Sequence, residues 1–111
     1  MYDLEQRTLE FTKKINRYVS SLPKNISNME NGKQLIRSGG SVGANYREAN
    51  DNLGKNDFLM RIKISRKEAK ETIFWLELTE PLQENIPIKQ NLLQEAEELM
   101  KIFSAILKNS K

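Results

Sequence analysis

Three groups of residues have the types and spacing to do chemistry. The first is RSGGSVGANYREAN, Arg37 to Asn50, which holds Gly39, Gly40 and Gly43. Glycine-rich loops can cradle a phosphate at the start of a helix. That use needs a fixed pattern: G-x-x-x-x-G-K-[ST] for a nucleoside triphosphate, or G-x-G-x-x-G after a strand for a dinucleotide. Here Gly43 is followed by Ala44 and Asn45, with no lysine in place, and the glycines read G-G-x-x-G with no strand before them. The second group is Glu48 and Glu71. A lone carboxylate without a nucleophile or metal beside it is weak ground for catalysis. The chain has no Cys and no His. That removes thiol nucleophiles, disulfides, Cys/His zinc sites and the usual general base. A non-enzymatic protein with no catalytic residue, no metal and no cofactor is expected.

The third group is basic. On a wheel of about 100° per residue, Lys63, Arg66, Lys67 and Lys70 fall within roughly 100° of arc. Residues 55–70 carry six cations against two carboxylates, and residues 71–84 carry four carboxylates and no cation. Charge on this segment is therefore split end to end. In a monomer such a stripe reads as a solvated face with i,i+4 pairs. Repeated around an oligomer it becomes a positive rim suited to phosphate backbones. Arg61 adjoins it, and Lys33, Arg37 and Arg47 on the preceding segment extend it. The net charge of +3 and pI of about 9.2 permit a polyanion partner without requiring one.

Helices must position these residues. Apolar and small residues recur at Leu4, Thr8, Phe11, Ile15, Tyr18 and Leu22, a 4, 3, 4, 3, 4 spacing that predicts a helix over about 3–22. Pro23 ends it. Leu35, Gly39, Val42, Tyr46, Ala49 and Leu53 repeat the spacing, so the glycines lie inside a second helix. It starts near Ser27, where SNME has a capping-box pattern, with NGKQ as a second possible cap. A third helix spans about 55–80, capped near Asn56 or Asp57, with Phe58, Ile62, Ser65, Ala69, Thr72 and Leu76 on its seam and Pro81 as its stop. The fourth spans about 88–107, with Ile88, Leu92, Ala96, Leu99, Phe103 and Ile106 on its stripe. With 111 residues and short links, this predicts one domain, an all-α antiparallel four-helix bundle. No apolar run nears the ~20 residues of a membrane span, and the start is charged, so a soluble cytoplasmic protein is expected.

Two faces of these helices need partners. Gly39 and Gly43 lie four residues apart, a groove for a close neighbour, with Phe74 and Trp75 as the bulkiest candidates to fill it. Met60, Ile64, Trp75, Leu78 and Leu82 cluster nearly opposite the seam of helix three. A helix apolar on two faces is buried on two faces. These five are the expected interface of a homo-oligomer, the alternative being that the first or fourth helix wraps further around helix three. Arg37, Ser41, Ala44 and Glu48 make a further stripe, with Asn45 beside it, readable either as a structural network or as a ligand contact.

QLIRSGGSVGANYREA, Gln34 to Ala49, and FLMRIKISRKEAKETIFWLEL, Phe58 to Leu78, carry a family likeness. The chain resembles the bacterial four-helix-bundle proteins encoded in intervening sequences of large-subunit ribosomal RNA genes. The accessory variability protein of diversity-generating retroelements is related to them. The pattern matches at Arg37, Ser38, Ser41, Val42, Ala44, Asn45, Glu48 and Ala49, and again at Phe58, Glu68, Glu71, Thr72, Trp75 and Leu76. Gly40 departs from it, since Thr or Ala is more usual there. The resemblance implies a homopentameric barrel, a basic surface suggested to bind nucleic acid, and, for the retroelement relative, a reverse transcriptase partner. It implies no enzymatic activity and carries over no catalytic residue.

Overall fold

The computed structural model describes residues 3–110. Among them the chain forms four α-helices and no strand: α1 (Leu4–Ser21), α2 (Ile26–Asn50), α3 (Lys55–Leu78) and α4 (Ile86–Asn109), with a short 3-10 turn at Gln83–Asn85 before α4. Local chemistry sets each boundary. Asp3 caps α1 by accepting the Glu5 N–H. Asn25 caps α2 by accepting the Asn28 N–H at 2.8 Å, so the helix starts before the expected Ser27 box. The Ser27 hydroxyl donates to Asn25 instead. This earlier start buries Asn28, whose amide bonds both the Pro23 and Glu80 carbonyls at 3.0 Å while its oxygen accepts the Glu80 N–H at 2.9 Å. Helix α3 stops at Leu78, short of Pro81, because Thr79 is extended and bonds the Leu76 carbonyl. Helix α4 starts at Ile86 because Pro87 fits the first turn, where no N–H is needed.

Two stripe residues fall outside the core. Leu53 continues the α2 seam by spacing but is 95% exposed. The helix ends at Asn50, and Gly54 turns the chain with φ of +139°, a conformation that favours glycine. Gly54 is also the N-cap of α3, in place of the expected Asn56 or Asp57; the Asp57 carboxylate accepts the Leu53 N–H instead. Ile88 is half-exposed at the edge of α4.

Consecutive helices pack antiparallel. Thr72 meets Ser38, Ser65 meets Val42 and Arg61 meets Asn45, so α3 runs back along α2. The remaining seam residues close one core: Phe11, Ile15, Tyr18, Leu35, Val42, Ile62, Leu76, Leu99 and Phe103 are all essentially inaccessible. Full burial of such a side chain contributes about 1.5–3 kcal/mol. The contact of α2 with α3 is the most extensive and that of α1 with α4 the sparsest, leaving a cleft of about 860 Å³ between α1 and α4. Arg7 bridges one end of the cleft with two hydrogen bonds to Glu95, at 2.7 and 2.8 Å.

The glycine groove is filled by α1, not by Phe74 or Trp75. A Cβ on Gly39 would stand 2.6 Å from Ile15 Cδ1, and one on Gly43 would stand 2.9 Å from Thr8 Oγ1 and 3.1 Å from Thr8 Cβ. Gly32 meets Val19 in the same way, whereas Gly40 has nothing nearer than Thr12 Cγ2 at 3.9 Å. Phe74 and Trp75 lie on the far flank of α3, edge to face at 4.9 Å between ring centres.

Two outcomes follow. Gly40→Ala gains helix propensity without a clash and should stabilise the fold by about 0.5–1 kcal/mol. Gly43→Ala should destabilise by roughly 1 kcal/mol, since overpacking costs about 1–3 and helix propensity returns up to ~1. Urea unfolding of both variants checks the opposite signs. Tyr18 is buried, which pushes its pKa above 10.0 against the opposing effect of its 2.8 Å hydrogen bond to Thr79. The folded state therefore holds the phenol proton where the unfolded chain releases it. This contribution is intact below about pH 10 and is lost as the pH rises further. Tyr18→Phe should flatten the alkaline decline while costing about 1 kcal/mol at neutral pH, read by urea unfolding across the pH range.

Candidate nucleic-acid interface

The candidate phosphate-binding cations fall into two sets. Those on α2 are engaged. Arg37 bonds Glu71 and reaches Glu68 at 3.4 Å, both on α3. Lys33 pairs with Glu30 at 3.0 Å, and Arg47 approaches Glu5 of α1 at 3.9 Å. Arg61 joins the engaged set, 3.8 Å from Asp57 and 3.4 Å from the Asn45 side chain. Asn45 itself donates to the Ser41 carbonyl. Lys63, Lys67 and Lys70 are exposed, and neither they nor Arg66 have an ion pair among the described residues. Unpaired cations keep their full field for a mobile anion, whereas paired ones are largely neutralised locally.

Arg66 fixes where this free set points. Its guanidinium donates to the Ser104 hydroxyl of α4 at 3.4 Å. The basic stripe therefore borders the shallow valley between α3 and α4. Lys101 and Lys108 lie three residues before and four after Ser104, on the same side of α4. Both are exposed and have no ion pair among the described residues. Sequence alone does not single them out, because it presents each helix separately. Their i−3 and i+4 spacing around Ser104 carries meaning only once Ser104 is known to face Arg66. The valley continues toward the C-terminal end of α3 past Glu77 and Glu97, so the end-to-end charge split spans two helices.

The five apolar residues assigned to an interface lie beside this basic face. Met60, Leu78 and Leu82 are exposed, and Ile64 and Trp75 are half-buried. The Trp75 ring N–H donates to Glu71 at 3.0 Å. Glu71 sits next to Arg37, while Glu48 lies three turns further along α2, about 16 Å away by helix rise. The two carboxylates do not share a pocket. Among the described residues no cluster of Asp, Glu, His or Cys could hold a metal ion. No helix there is long and apolar enough to cross a membrane.

A family model described as 23S rRNA-intervening sequence protein matches residues 2–105. The chain belongs to this family. The match also covers α1, which the quoted motifs did not include. A crystal structure of a protein of unknown function from the S23 ribosomal protein family of Bacteroides thetaiotaomicron is similar throughout. It has 30% identity and a TM-score of 0.80, over 96% of this chain and 99% of that one. No match was found among curated proteins. The intervening-sequence family is thus shown by sequence and its four-helix fold by structure.

The two sets of cations differ in what their removal does to the fold. Arg37→Ala strips the bridge from Glu68 and Glu71 and should cost about 1–2 kcal/mol of stability. Lys67→Ala should stay within about 0.5 kcal/mol of the parent. Thermal unfolding of the pair measures the contrast.

Proposed function

We propose that this intervening-sequence protein is a non-enzymatic homo-oligomer that binds nucleic acid through the face shared by α3 and α4. One observation carries the reading: among the described residues Lys63, Arg66, Lys67 and Lys70 stand together without carboxylate partners, beside Lys101 and Lys108 on α4. Cations arranged in this way bind phosphate backbones by releasing counterions, with little regard for sequence. RNA is favoured over DNA as the polymer, in keeping with the family's residence in ribosomal RNA genes. The exposed apolar set of Met60, Leu78 and Leu82, with half-buried Ile64 and Trp75, supports self-association. The resemblance suggests five copies. Repetition of the basic face around such a ring multiplies the number of phosphates held at once.

A second reading draws on those same apolar residues: a scaffold whose outer surface docks a partner protein such as a reverse transcriptase. Recovery of one defined polymerase from cell extract after nuclease treatment, with RNA binding absent, would favour it.

Lys67→Glu combined with Lys70→Glu should weaken RNA and DNA binding. It should also flatten the salt dependence by about one unit of slope for each phosphate no longer neutralised. Fluorescence anisotropy over a salt series reads this directly. Unchanged affinity and slope would sink the assignment. Light scattering should give a mass several times the 12.9 kDa of one chain, and a monomer would remove the repeated face.

A further inference from the structure

Phe74 is 53% exposed, on the outer surface of α3. Single exposed apolar residues are ordinary, but two features set this one apart. The first is its place. Lys63, Lys67, Lys70 and Phe74 follow at i, i+4, i+7 and i+11, one continuous line along the helix. By helix rise, Phe74 stands about 6 Å beyond Lys70 and about 10 Å beyond Lys67. The second is its support. Trp75 meets the Phe74 ring edge to face at 4.9 Å. The Trp75 ring N–H is held by Glu71 at 3.0 Å, and Glu71 is held in turn by Arg37 of α2. A chain of contacts from the neighbouring helix thus holds Trp75 against a ring that has no place in the core.

An exposed ring braced by Trp75, in register with lysines that have no ion pair among the described residues, matches what unpaired nucleic acid needs. Bases freed from a duplex stack on aromatic faces while cations hold the flanking phosphates. A duplex keeps its base faces within its own stack and offers only phosphates to the same surface.

We propose that the α3 face is selective for single-stranded nucleic acid. Phe74 stacks on one base, and Lys67 and Lys70 hold the adjoining phosphates. Arg37 and Glu71 are positioning residues that act through Trp75. This inference rests on the charge-based reading above and adds the strandedness of the polymer.

The test compares binding of a labelled, unstructured pyrimidine strand with that of the duplex of the same length, using the full chain. The parent protein should prefer the strand. Phe74→Ala should weaken strand binding by about 5- to 150-fold, as for loss of one stacked base. Its duplex binding and its salt slope should be unchanged, because every cation that faces a phosphate is still present. Phe74→Trp should restore strand binding. Equal losses on both polymers, no loss on the strand, or a change in assembly mass on light scattering would each overturn the proposal. If the parent binds strand and duplex alike and Phe74→Ala changes neither, stacking falls while the charge-based reading stands. If the parent binds neither polymer, both fall.

Discussion

The close approach of α2 to α1 is the constraint on which the rest of the bundle depends. Gly39 and Gly43 leave no room for even a methyl group against Ile15 and Thr8. That proximity drives Phe11, Ile15 and Tyr18 into the centre and places them beside Leu35 and Val42. Each glycine in a helix costs about 1 kcal/mol relative to alanine, and the buried area it admits offsets that. The opposite flank of α2 meets α3 through small hydroxyls: Ser65 donates to the Val42 carbonyl, and Thr72 lies 2.9 Å from Ser38. Helix α2 is therefore slim on both flanks. Helix α1 is by contrast poorly covered on the side of α4, where the cleft opens.

Much of this was legible in the sequence because heptad spacing reports burial directly. The stripes through Thr8, Phe11, Ile15 and Tyr18, and through Ile62, Ser65, Ala69 and Thr72, are the buried positions. Boundaries were less legible. Asn25, not Ser27, caps α2 through a local bond to the Asn28 N–H, and the contact that this start gives Asn28 with Glu80 is one that no local pattern contains. Leu53 fits the stripe by spacing, but a turn at Gly54 takes it out of the helix. The occupant of the glycine groove is not the one that size suggests. Aromatic bulk pointed to Phe74 and Trp75, yet a groove this close to a backbone admits only Ile15, Thr8 and Val19. The partition of cations was invisible for the same kind of reason. Arg37 and Lys67 look alike in sequence, and only the facing helix supplies Arg37 with carboxylates.

That partition divides labour between helices. On α2 Arg37 and Arg47 offset carboxylates of α3 and α1 and help align the three helices, while Lys33 pairs within α2 itself. On α3 and α4 the lysines of the free set face water, and the fold does not rely on them; Arg66 differs, since it ties α3 to α4 through Ser104. A surface uninvolved in packing can change its charge while the core stays intact. This separates the residues that make the bundle from those available to meet a polyanion.

One pole of the bundle is tied far more firmly than the other. At the end where α1 finishes and α2 begins, Asn28 grips both the link before it and the end of α3, Tyr18 meets Thr79, and Lys89 caps the Thr79 carbonyl at 2.9 Å. At the opposite end Asn50 and Arg47 hold α2 to Glu5 of α1, but the turn at Leu53 is closed from within by Asn52 and Asp57, and α3 starts on a glycine that supplies no side chain. Local opening concentrates where such ties are few. Lys63 and Lys108 sit toward that looser end. The basic face thus grades from a firm base near Phe74 to a yielding tip. A polymer of irregular shape would meet an anchored platform at one end and a compliant, positively charged edge at the other.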